Sequence, residues 1–216
     1  MEKVEINKTM HLSEHFKLGE VTKSRHSEVY NIPSHVAIEN LKRVCEWLEE
    51  LRRRYNERYV FSRNEERSVS PPELGGVRGG LRSAEGRLLP EGRKNEGMSS
   101  ASSDHPTHTG TPPNLGGEKD TSEAPIIITS GYRSPELNKK VGGSPTSNHL
   151  TGCAVDIRVN GIEQAMRYAV ILMDYADETK QDYDELLIER NRSGGYWLHF
   201  AVRPKDNRRK TMFLQK

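Results

Sequence analysis

Between Ser62 and Glu123 the chain offers almost nothing to bury, and that fixes where a core can lie. The segment holds the pairs Pro71-Pro72, Gly75-Gly76, Gly79-Gly80, Pro112-Pro113 and Gly116-Gly117, runs of Ser and Thr, and no periodic apolar residues. Burial in such a segment does not offset the entropy of ordering it. A disordered insertion over residues 62–123 is therefore expected, longer than an ordinary loop inside a domain. Its arginines, Arg78, Arg82, Arg87 and Arg93 among them, are read as solvated rather than as a tether to an anionic partner. His105 and His108 would suit a metal only on an ordered helix, so they are not taken as ligands. Hydrophobic residues make up only 33% of the chain. The core must come from residues 1–61 and 124–216, two parts of one domain.

The charge balance removes two classes of partner. The formal net charge is +2 and aromatic residues are 6%, too little of either for a nucleic-acid or membrane-surface protein. No apolar run is long enough to span a bilayer. Met1 to His15 has no apolar stretch and no small-residue cleavage site, so no secretory signal is read there and a cytoplasmic location is expected. The two cysteines, Cys45 on a helical apolar stripe and Cys153 in a strand pattern, are read as buried free thiols rather than a disulfide.

Outside the insertion the pattern is α+β. Phe16 to Glu20 forms a turn-rich entry with few core candidates. Ser34 is an N-cap signal, and Val36, Ile38, Leu41, Val44, Cys45, Leu48 and Leu51 follow at helical spacing to about Tyr55. Ile126 to Thr129 is a short β-branched strand. Ser134-Pro135 opens a short helix that Gly142-Gly143 ends. Cys153 to Val159 alternates as a strand. Gly161 to Thr179 is an amphipathic helix with Ile162, Ala165, Met166, Ala169, Leu172, Met173 and Ala176 facing inward. Asp184–Glu189 and Tyr196–Val202 are strands joined as a hairpin through Asn191 to Gly195. The fold class expected is a small, mostly antiparallel sheet with flanking helices.

Alternation then brings chemistry to one face. Val155 and Ile157 face one way and Asp156 the other; Leu198, Phe200 and Val202 face one way and His199 the other. If both strands share a sheet over one core, Asp156 and His199 project from its opposite face. His149, in the Gly- and Ser-rich turn before the first of these strands, can reach the same place. Two imidazoles and a carboxylate are a donor set for catalytic zinc, leaving one position for water; zinc would bring that water's pKa toward neutrality. Taken singly, each of these residues is more simply a hydrogen-bonded structural group.

The motifs around them shift that balance. Ser147-Asn148-His149-Leu150-Thr151-Gly152-Cys153-Ala154-Val155-Asp156 fits S-x-H-x-x-G-x-A-x-D. It resembles the metal-ligand motif of the zinc D-Ala-D-Ala carboxypeptidases and related peptidoglycan peptidases, which share a fold group with lysostaphin-type endopeptidases and the hedgehog signalling domain. Ser130-Gly131-Tyr132-Arg133-Ser134 resembles the family's S-G-Y-R-S/C segment, and Trp197-Leu198-His199-Phe200 its W-x-H-hydrophobic segment. Phe16 to Ser24 is similar to its opening segment. The likeness is nearest to the small, signal-less bacterial and phage subgroup. It implies a hedgehog-like fold, His149, Asp156 and His199 as ligands of Zn2+, Arg133 as the group that stabilises negative charge on the attacked carbonyl oxygen, and residues 124–216 as the catalytic part. It also implies peptidoglycan stem peptides as substrate. A monomer is expected, and the missing signal fits either a protein that reaches the wall by lysis or a non-classical route, or a cytoplasmic dipeptidase.

The chain departs from the pattern at the general base. In the vancomycin-resistance dipeptidases of this group a Glu stands three residues before the last His; here that position is Tyr196, a poor base at neutral pH. Asp184-Glu185-Leu186-Leu187-Ile188-Glu189 resembles a D-Q-L-I-x-E segment of the close subgroup, which makes Glu189 the candidate base, with a surface carboxylate at a strand end as the alternative. Asp184 is a weaker candidate, for holding a ligand imidazole in its tautomer. Two functions follow: a zinc peptidase, or a zinc-stabilised peptidoglycan-binding module with little or no turnover.

Overall fold

The computed structural model describes residues 7–61 and 123–215. The expected insertion, apart from Glu123, lies outside the described residues, as do His105 and His108. The elements run α1 (Leu18–Thr22), α2 (His35–Tyr55), β1 (Ile128–Ser130), α3 (Pro135–Lys140), a 3-10 turn (Asn148–Thr151), β2 (Ala154–Arg158), α4 (Ile162–Thr179), β3 (Glu185–Arg190), β4 (Tyr196–Ala201) and β5 (Lys210–Gln215). A π-helical turn, Asn56–Phe61, extends α2. The strands form one sheet in the order β1-β2-β4-β3-β5, antiparallel except for the parallel β3–β5 edge.

The long helices pack on one face of the sheet. Leu41, Val44, Cys45, Leu48 and Leu51 of α2 are fully buried and share a core with Val155, Ile157, Leu186, Leu198 and Phe200 of the strands. Trp47 lies 5.4 Å from the Phe200 ring. Truncating a buried leucine such as Leu48 to alanine costs about 2–5 kcal/mol. Ser34 caps α2 by accepting from the Ala37 amide at 3.2 Å. Both cysteines are free and buried. No helix among the described residues is long and apolar enough to cross a membrane.

Three sequence expectations change. Val36 is exposed, and Ala37, Asn40 and Trp47 stand with the buried face of α2 instead. On α4 the buried stripe is Ala165, Tyr168, Ala169, Ile171, Leu172 and Ala176, while Ile162 and Met166 face outward. At 3.6 residues per turn Val36 lies about 140° from Leu41 and Met166 about 100° from Ala165, off the stripe that the buried residues define. The entry segment is richer in core than its sequence suggests: Phe16, Leu18 and Val21 are buried against the sheet end. Strand β5 has no alternating apolar signal because it is an edge, with Met212 and Phe213 exposed.

Candidate metal centre

The face of the sheet away from α2 and α4 carries the polar residues. Asp156 of β2 pairs directly with His199 of β4, and Leu187 of β3 lies on the other side of His199. A period of two then sets Glu185, Leu187 and Glu189 on the same face as His199 and Trp197. Glu185, Leu187, Glu189 and His199 line a cleft of about 460 Å³ with Arg133, Asp156 and much of the 142–149 loop. His149, Asp156 and His199 meet there, with one ligand-capable atom from each lying within 4.8 Å of the others. It is the one such cluster among the described residues.

Each of the three is held by its surroundings. His149 lies on the 3-10 turn that Ser147 caps and that Gly152 ends in a left-handed conformation at φ 73°. A Cβ on Gly152 would lie 2.4 Å from the Ala37 carbonyl oxygen of α2, so glycine is required for the turn to dock on the helix. The His149 Nδ1–H donates to the Gly131 carbonyl at 2.6 Å, which leaves Nε2 directed to Asp156 Oδ1 at 3.4 Å. His199 Nδ1 stands 2.9 Å from the same Oδ1, and its Nε2 faces Glu185 Oε2 at 3.6 Å. One carboxylate oxygen is thus shared by two imidazoles whose ring centres are 5.0 Å apart.

Charge follows geometry. Burial alone would raise the Asp156 pKa, but the His149 charge and the hydrogen bonds from both imidazoles hold it well below the usual carboxylate range. Burial pulls the His199 pKa down, yet the bonds to Asp156 and Glu185 outweigh it and carry it up to about 9. Glu185 is held down to about 2, chiefly by its bond to His199. Two buried imidazoles converging on an anionic oxygen, each backed on the far nitrogen by an oxygen acceptor, form a donor set fitted to a divalent cation.

Arg133 approaches from the β1 side. Its Nε donates to Ser130 Oγ at 2.9 Å and its Nη2 to Asp156 Oδ2 at 2.6 Å. The backbone around it is clamped. Arg133 N donates to the His149 carbonyl at 3.0 Å. Asn31 Oδ1 accepts from Ser134 N at 2.7 Å, while Asn31 Nδ2 donates to the Tyr132 carbonyl at 2.9 Å. A Cβ on Gly131 would lie 2.3 Å from the Val21 carbonyl oxygen, so this close approach also depends on glycine.

The remaining candidates separate cleanly. Glu189 is buried and lines the cleft; its partner in the ladder is Trp197. Tyr196 stands on the opposite face of β4, against Phe213 at 6.2 Å and under the Arg190 guanidinium at 5.6 Å. With β4 regular from Tyr196 to Ala201, Tyr196 and His199 do not share a face here. Asp184 holds no imidazole. It is fully buried and accepts from Arg208 Nε at 2.8 Å and from Asn148 Nδ2 at 2.7 Å. Sequence reasoning missed Glu185, which takes the place beside His199 expected of Asp184, and also Asn31 and Asn148. No local pattern marks any of the three: Glu185 owes its place to the register that pairs it with Ala201.

No curated protein matches the chain. Residues 93–180 match the family model described as Peptidase M15, a metal-dependent peptidase family of the zinc D-Ala-D-Ala carboxypeptidase type. The matched segment includes His149 and Asp156.

Proposed function

We propose that this chain is a zinc metallopeptidase that hydrolyses peptide bonds of peptidoglycan stem peptides, at or near D-alanine. The observation that carries the reading is the convergence of His149, Asp156 and His199 at a cleft that Arg133 and Glu189 also line. His149 through Nε2, Asp156 through Oδ1 and His199 through Nδ1 would hold the ion. When bound, zinc supplies Lewis acidity and a water acidified toward neutrality.

The chain's own residues do the rest. Arg133, fixed through Nε and Nη2, keeps Nη1 for the oxygen of the substrate carbonyl as negative charge grows on it. Glu189 takes the proton of the attacking water and returns it to the leaving amine. Glu185 and the Gly131 carbonyl orient the two imidazoles. Leu187, between the two glutamates, keeps that part of the cleft apolar. The test is release of peptide fragments or D-alanine from purified cell-wall material by the metal-loaded chain, with His149→Ala beside it. Release by wild type alone supports the reading. Capture of peptidoglycan without release would point instead to a binding module.

A further inference from the structure

Two clefts meet at Arg203. The first is the cleft of the candidate metal centre. The second, about 570 Å³, opens behind the 144–148 loop and is walled by Pro145, Leu150, Cys153 and Pro204, with Lys205 at its edge. Thr146, Ser147, Asn148 and Arg203 line both. A molecule lying in one can therefore continue into the other past the Arg203 side chain.

Three arginines line the first cleft, and only one has an unspent fork. Arg133 uses Nε and Nη2 on Ser130 and Asp156. Arg208 uses Nε and Nη2 on Asp184, and its Nη2 also lies 3.0 Å from Glu185. Arg203 is held through Nε alone, 2.9 Å from Asn148 Oδ1 and 3.0 Å from Asp184 Oδ2. No hydrogen bond among the described residues ends on its two terminal nitrogens, and its side chain keeps 32% of its surface exposed. Its backbone is pinned as well: Arg203 N donates to Asn207 Oδ1 at 2.8 Å. Asp184 and Glu185 are two negative charges against Arg203, Arg208 and Lys210, so this cluster keeps one positive charge. A guanidinium fixed at its base with its outer edge free is arranged for two-point binding of a carboxylate.

We propose that Arg203 anchors a carboxylate of the peptide substrate where the two clefts join, with the second cleft taking the aliphatic part of the residue that bears it. The identity of the ligand rests on the peptidase reading; the existence of the carboxylate subsite does not. The carboxylate could be the peptide's terminus or an acidic side chain, and the test separates the two.

The probes are a short peptide ending in D-Ala-D-Ala as the free acid, its C-terminal amide, and an amide carrying one D-glutamate. Their affinities are measured by calorimetry on the metal-loaded chain in the Glu189→Gln background, which slows turnover of the peptide, with the peptide checked for cleavage after each titration. The expected result is that the free acid, the D-glutamyl amide or both bind about tenfold or more tightly than the plain amide. Arg203→Gln should remove that preference and leave plain-amide binding unchanged. Arg203→Lys, which keeps the charge without the fork, should fall between. Thr146→Trp, on the exposed loop shared by both clefts, should weaken the carboxylate peptides without disturbing Asp184, and decides the matter if Arg203→Gln does not fold. Equal affinity of wild type for acid and amide, or of Arg203→Gln and wild type for the acid, overturns the subsite. D-alanine release without an Arg203 effect keeps the peptidase reading and removes the subsite. Carboxylate binding through Arg203 with no release by the otherwise wild-type chain does the reverse.

Discussion

Asp156 and His199 face each other directly across the β2–β4 ladder, with Asp156 Oδ1 2.9 Å from His199 Nδ1. The backbone register sets the two residues opposite each other on one face of the sheet, and their side-chain conformers then bring the two groups together. His149 comes to the same oxygen from a separate turn. Consequences for the neighbours of this pair can be measured.

Glu189 lines the cleft from β3 without belonging to the cluster of three. Glu189→Gln should lower the hydrolysis rate by about 10²–10⁴-fold, the usual contribution of a positioned base, while metal content stays at the wild-type level. Steady-state rates and metal analysis on the same preparation check both halves.

Arg133 bonds Asp156 and also has a nitrogen left for substrate. Arg133→Ala should lower kcat by about 10²–10³-fold, with a much smaller change in KM. A loss confined to KM would remove it from the reaction and leave it a substrate-binding group.

Glu185 backs His199 at 3.6 Å. Glu185→Gln should weaken metal affinity by about 10–100-fold, as removal of a group that orients a ligand does. Competition with a chromogenic chelator measures it. Asp184→Asn, one residue away but pointed at arginines, should change metal affinity far less.

Asp184 predicts a pH effect on stability. Burial would raise its pKa, but the Arg208 and Asn148 hydrogen bonds outweigh that and hold it below the ordinary value. In the unfolded chain it titrates near about 3.9. A depressed folded-state pKa means the stabilisation is complete above that value and is lost as pH falls through the folded pKa. Asp184→Asn should cost about 2–3 kcal/mol at pH 7, and the gap to wild type should narrow below about pH 4. Urea unfolding at pH 7, 5 and 3.5 tests the trend; a gap that widens in acid contradicts it.

Much of the site was legible because strands have a period of two. Asp156, His199 and Glu189 could each be put on the right face by counting from buried neighbours such as Ile157, Leu198 and Ile188. The same count puts Tyr196 on the face opposite His199, where the structure has it. What escaped was information carried by register and by loops. Glu185 gains its role because β3 pairs with β4 so that Glu185 lies diagonal to His199, and no local pattern encodes that offset. Asn31 and Asn148 act through hydrogen bonds to residues far away in sequence, for which composition and spacing give no sign. The fold was read less well at its margins: β5 is too exposed and the Phe16–Val21 entry too short to show a burial period.

The central claim is that three side chains, distant in sequence, hold one divalent ion. Metal analysis of the purified chain, wild type beside Asp156→Ala, tests it most directly. The account predicts about one zinc per wild-type chain, from a three-ligand site with an open position, and near-total loss in a folded Asp156→Ala variant. Equal metal content in the two proteins, or none in wild type after zinc is added back, would contradict it.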